Sequence, residues 1–161
     1  MTGVERLPGS PGVVRLALEA AEVEILRELA RQLSELLTSR PDDSAARALF
    51  PSGYADPAAQ AEFDRFTRAE LGERKVAAAG AIAEALDRTG ADGVLIELDT
   101  ERAWPWLTFL TDVRQVLAAR LSEGGPPEEQ SIQAALSDWA AYLQGALVDA
   151  LSDTTDGGAE S

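Results

Sequence analysis

Cysteine and histidine are both absent from this 161-residue chain, and lysine occurs once, as Lys75. Without cysteine there is no disulfide, no thiolate nucleophile and no thiolate metal site. Without histidine the usual general base and the commonest metal ligand are missing, which removes most hydrolase and zinc chemistries. No apolar run approaches the roughly 18 residues of a membrane span, and no basic-then-apolar leader opens the chain. The expectation is a cytoplasmic protein with no membrane association. A phosphate loop, a nucleophile elbow, an HExxH helix and EF-hand spacing are all lacking. Gly3, Gly9 and Gly12 are not strung between a strand and a helix as a dinucleotide fingerprint requires. No catalytic residue, cofactor or metal ligand is therefore expected.

What the chain has in excess is acid. Its net charge is −14, with 28 acidic residues against 14 basic ones. Residues 1 to 122 carry 20 acids and all 14 bases, whereas residues 123 to 161 carry eight acids and no base. Such a tail solvates an exposed face and repels a polyanion. The arginines elsewhere are interleaved with acids within a helical turn or two. Direct binding to DNA, which needs several cations on one surface, is not expected.

Read in order, residues 1–12 hold two prolines and three glycines and look like a flexible N-terminal segment. Val14, Leu16 and Leu18 alternate with Arg15 and Ala17, the period of a half-buried strand. A helix is predicted from about Ala20 to Thr38, then a short capped turn after Pro41. The connection from Leu49 to Pro57 carries Phe50 and Tyr54. Asp56 and Pro57 predict a helix start, with Phe63 and Phe66 facing inward. Thr67 and Glu70 form a capping-box pattern, so a helix should restart there and run to about Gly90. Val94, Ile96 and Leu98 alternate as a second strand, and the last helix is predicted from about Glu128 to Leu151. A shift of 80 residues lays the first strand and helix on the second pair. Two short strands cannot stand alone, so they should pair, with both following helices on them. The fold expected is mainly α: a single domain over 13–151 of five or six helices with a small two-stranded ribbon. Residues 152–161 are expected to be a disordered acidic tail.

The helix from about Trp104 to Leu121 is the predicted centre. Trp106, Phe109, Leu110, Val113, Val116, Leu117 and Leu121 share one face, and a second face carries Leu107, Thr111, Arg114 and Ala118. Asp112 and Arg114 are the polar residues in this apolar setting. Two apart, they point in different directions and are not a pair. Arg114 is expected to be partly buried and ion-paired with Glu62 or Asp64. Glu62, Glu70, Glu73, Asp99 and Asp112 are the carboxylates that an enzyme would draw on.

The segments LFPSGYADP, AEFDRFTRAEL and VLIELD, followed by AWPWLTFLTDVRQVLAARL and DWAAYLQGALVDAL, resemble an actinobacterial family of unknown function, DUF2017. The resemblance runs from about Gly12 to Leu151. Its most specific parts are the LFP…Y.D…EF run and the run of Asp112, Arg114, Arg120 and Leu121. Thr111 and Gln115 depart from the Asn and Leu of the family pattern. The resemblance implies no enzyme activity. It implies a neighbourhood with the ClpS proteolytic adaptor and, in some members, oxidative-stress regulation through a cysteine pair, a switch that this chain lacks.

The expected function is a non-enzymatic regulator or adaptor acting by protein contact, in transcription or proteolysis. A direct DNA-binding stress regulator is the alternative, and a carboxylate–arginine enzyme the third. Asp112, Arg114, Arg120 and Glu62 are the candidate polar residues, and Phe50, Tyr54, Arg65 and Arg68 the candidate partner surface. A homodimer is left open.

Overall fold

The computed structural model describes residues 3–40, 42–50, 58, 61, 67–88 and 93–159, with side chains as far as Ser152. Three strands, β1 (Gly3–Arg6), β2 (Val14–Leu18) and β3 (Val94–Leu98), form one antiparallel sheet in the order β1-β2-β3. Among the described residues there are five helices: α1 (Ala20–Ser39), α2 (Ser44–Arg47), α3 (Ala69–Asp87), α4 (Thr100–Glu123) and α5 (Pro127–Ala159). The protein is mainly helical, as its apolar periodicity predicted.

The pairing of β2 with β3 follows the expected alternation. Val14, Leu16 and Leu18 are buried, and Leu16 stands opposite Ile96. The third strand corrects the two-stranded ribbon, and it corrects the flexible reading of residues 1–12. Gly3–Arg6 pairs with β2 from Gly3↔Ala17 to Arg6↔Val14, and the Leu7 N–H bonds the Val13 carbonyl at 3.0 Å to close the hairpin. Only Val4 of β1 packs on the core, so ladder hydrogen bonds rather than apolar alternation order this strand. That is why hydrophobic periodicity could not reveal it.

Helix α4 takes the predicted central place. Ala103, Trp106, Phe109, Leu110, Asp112, Val113 and Leu117 are all buried along it. Asp99 caps it, its carboxylate accepting the Arg102 N–H at 2.7 Å. One contiguous core joins Val14 and Leu16 of β2, Leu26 and Leu33 of α1, Ile82 and Leu86 of α3, Phe109 of α4 and Leu143 and Leu147 of α5. Both strand-following helices, α1 and α4, thus share a core with the sheet.

Two further boundaries differ from expectation. Thr67 and Arg68 already lie in a π-type turn that leads into α3, so no helix restarts with a cap at Thr67. Backbone helix also continues to Ala159, through residues 152–159 of the expected disordered tail. That stretch has no proline to interrupt the ladder, although it has nothing large and apolar to bury. The predicted helix start at Asp56 lies outside the described residues, as do Phe63 and Phe66.

Candidate functional site

Three polar clusters sit around α4, each tying it to a different neighbour. The first joins α4 to α3. Asp112 is 1% exposed, and the Lys75 ammonium lies 2.6 Å from its Oδ1 with a side chain only 11% exposed. The second oxygen of Asp112 is buried without a hydrogen-bond partner among the described residues. Burial raises the Asp112 pKa above its ordinary value, and the hydrogen bond and charge of Lys75 pull the other way. The sequence reading had given Lys75 no structural role. The signal was there: Lys75 precedes the buried Ala78, Ala79 and Ile82 of α3 at helical spacing, on the stripe that faces the core.

The second cluster joins α4 to α5 and corrects the reading of Arg114. Arg114 is exposed, not partly buried, and its Nη1 donates to Gln144 Oε1 at 2.7 Å. The Gln144 amide donates in turn to Thr111 Oγ1 at 2.5 Å, and Thr111 donates to the Leu107 carbonyl at 2.8 Å. Its seam neighbour is therefore a neutral amide on α5. The expected carboxylates Glu62 and Asp64 lie outside the described residues. Arg114 and Asp112 do not converge, as their two-residue spacing requires. Because the Arg114 link is exposed, Arg114→Ala should cost no more than about 1 kcal/mol. A denaturant midpoint lowered by much more would mean that the seam depends on this guanidinium.

The third cluster fastens the C-terminal end of α4 to α2. Arg120 grips Asp43 with both terminal guanidinium nitrogens, Nη1 to Oδ1 at 3.0 Å and Nη2 to Oδ2 at 3.2 Å, and Glu123 lies 3.6 Å from Nη1. Asp43 also caps α2 by accepting the Ala45 N–H at 2.9 Å, while the Ser44 hydroxyl donates to Glu123. The Ala45 hydrogen bond, then Arg120, holds the Asp43 carboxyl below its usual range.

Of the expected partner surface, Phe50 and Arg68 meet each other. Arg68 stacks 4.6 Å above the Phe50 ring, and Phe50 is half-buried against the core. Tyr54 and Arg65 lie outside the described residues, as does Glu62 of the polar candidates.

A feature that the sequence reading missed opens beside Arg120. Helices α1 and α5 form the walls and α4 the floor of a trough of about 360 Å³. Leu29 and Leu33 of α1, Val116 and Leu117 of α4, and Ile132 and Leu136 of α5 line it, with Arg40, Arg120 and Glu129 at helix termini. Ile132 continues the apolar stripe of α5 but is 61% exposed. The guanidinium of Arg40 makes no ion pair among the described residues. Gln133 Oε1, on the α5 wall, is buried without a partner among the described residues. Three apolar stripes thus splay apart where a filled core would join them.

Among the described residues no helix is long and apolar enough to cross a membrane. Comparison with curated proteins and with solved structures finds no match. A family model described as a domain of unknown function, DUF2017, matches residues 1–151, which takes in both the three α4 clusters and the trough. By that match the chain belongs to the DUF2017 family.

Proposed function

We propose that this protein is a non-enzymatic adaptor or regulator that grips an amphipathic helix of a partner protein in the trough between α1 and α5. The observation that carries the proposal is the exposed Ile132 above a trough floored by Val116 and Leu117. Helix-in-groove recognition uses such a strip of aliphatic side chains, met by anchors at helical spacing. The charged lining carries both signs, Glu129 of α5 with Arg40 at the end of α1 and Arg120 of α4, so the partner helix carries a base on its flank toward α5 and an acid on its flank toward α1. A cytoplasmic setting in transcription or proteolysis, which the family resemblance suggests, belongs to the same proposal.

The two other readings draw less support. A carboxylate–arginine enzyme would need Asp112 open to a substrate, and it is sealed against Lys75. A DNA-binding face would need several unengaged cations gathered on one surface, and many of the arginines are paired with acids instead. Arg27 pairs with Asp87 at 2.8 Å, Arg31 with Glu28 and Glu35, and Arg74 with Glu70.

The test compares wild-type protein with Ile132→Asp, a change at an exposed position that should leave the melting temperature within a few degrees. Affinity capture from the native cell with quantitative mass spectrometry should show a protein bound by the wild type and lost from the variant. Interactors unchanged in the folded variant would remove the trough from the function. Saturable, salt-sensitive binding of the isolated protein to duplex DNA would favour the direct regulator instead.

A further inference from the structure

We propose that the free edge of β3 accepts an extended, acidic segment of a partner protein as a fourth strand of the sheet. Among the described residues β3 pairs only with β2, so it is an edge. A second cleft, of about 530 Å³, lies between β3, the C-terminal half of α3 and the first turns of α4. It touches all five consecutive residues from Val94 to Leu98. One face of a strand presents only alternate residues. A cleft that meets every residue in turn runs along the strand's edge, where alternate N–H and C=O groups point away from the paired neighbour.

Edge strands are ordinarily guarded by lysine, proline, a bulge or an unsatisfied charge. The sequence VLIEL has neither proline nor lysine, and its single charge, Glu97, is engaged by Arg15 on β2 at 3.5 Å. Leu95 is 66% exposed beside it. The inner side of the cleft is apolar, with Ile82 of α3 and Trp106 of α4 facing it. An added strand would turn alternate apolar residues toward these two and its other residues toward the rim.

The rim selects the partner. Arg88 on α3 and Arg102 on α4 flank the cleft in a protein that is otherwise strongly acidic. Arg102 makes no ion pair among the described residues, and the contact of Arg88 with Glu84 is loose, at 3.7 Å between two exposed side chains. Carboxylates on the incoming strand would meet both. A second copy of this chain is a poor occupant, because its β3 would bring a single carboxylate, Glu97, which Arg15 already engages. A segment without a fold of its own can enter, and its main-chain hydrogen bonds supply affinity while alternate side chains supply selectivity. The site is separate from the trough, though it rests on the same reading of a protein that acts by contact.

The probe is a fluorescein-labelled peptide of three Glu-Val repeats, blocked at both ends and titrated against the whole protein up to about 1 mM. Binding should be saturable and should slow hydrogen exchange at β3 amides. Arg88→Glu with Arg102→Glu, both at exposed positions, should weaken it about tenfold or more while leaving the circular dichroism unchanged. Methylation of alternate peptide nitrogens on one edge should abolish it. Absence of binding, equal binding of a Lys-Val peptide, insensitivity to nitrogen methylation, or protection confined to α1 and α5 would each overturn the strand-addition site. The last outcome would leave the trough reading standing, and interactors unchanged in Ile132→Asp would remove the trough while leaving this site standing.

Discussion

Lys75→Met should destabilise the protein by about 3–5 kcal/mol at neutral pH, a large part of the roughly 5–15 kcal/mol that holds a domain folded. The reason is asymmetric. Lys75 and Asp112 are 11% and 1% exposed, so deleting the ammonium leaves a buried carboxylate with no second partner among the described residues. Replacing both, as Lys75→Met with Asp112→Leu, should recover most of the loss, since the desolvation of both ions disappears with them. Chemical denaturation of the two single variants and the double variant closes the cycle.

The dependence on pH separates an unpaired charge from simple loss of packing. Asp112 already has a raised pKa in the folded state because it is buried, and Lys75 is what opposes that rise. Removing Lys75 should push it higher still. Over the window between the unfolded aspartate value, about 4, and the raised folded value, the native state holds a proton that the unfolded state releases. Stability from this group therefore increases as pH falls through the folded value, and it is fully present below the unfolded one. The gap between Lys75→Met and wild type should narrow on acidification. A gap constant from pH 8 to pH 4, using about 4 as the reference aspartate value, would mean that only the lysine's methylene packing had been lost.

Gly93→Ala should cost about 2–6 kcal/mol, from two penalties at one atom. Gly93 has φ +94°, a conformation that side chains resist, and a Cβ there would stand 2.3 Å from the Leu18 carbonyl oxygen and 3.2 Å from the Glu19 Cα. Both obstacles are backbone, so neither can rotate aside. They belong to the junction where β2 hands over to α1, so relief would have to displace the Leu18↔Val94 end of the ladder. Urea denaturation should show a lower midpoint, and hydrogen exchange should show β3 opening before α4. An unchanged midpoint would place Gly93 away from that junction.

Local pattern determined most of the residues that face inward, though not Ile132, which continues a stripe and is exposed. The three- and four-residue spacing of Trp106, Phe109, Val113 and Leu117 identified the central helix, and alternation identified β2 and β3, because burial of one face writes its period into the sequence. Where order came from hydrogen bonds, as in β1, no such period exists and the strand was invisible. Asp112 was legible as a polar residue in an apolar setting, but its partner was not, for Lys75 is 37 positions away. Which inward-facing polar groups meet depends on how α3 crosses α4, and that crossing is settled by side-chain packing over both helices. The same holds for Arg114, whose neighbour became Gln144 once α5 packed on α4, and whose helical face alone could not say whether it would be covered. The trough and the β3 cleft are further products of tertiary structure. A gap between elements has no residues of its own to carry a pattern, and it exists only where helices that each look complete in sequence fail to close on one another.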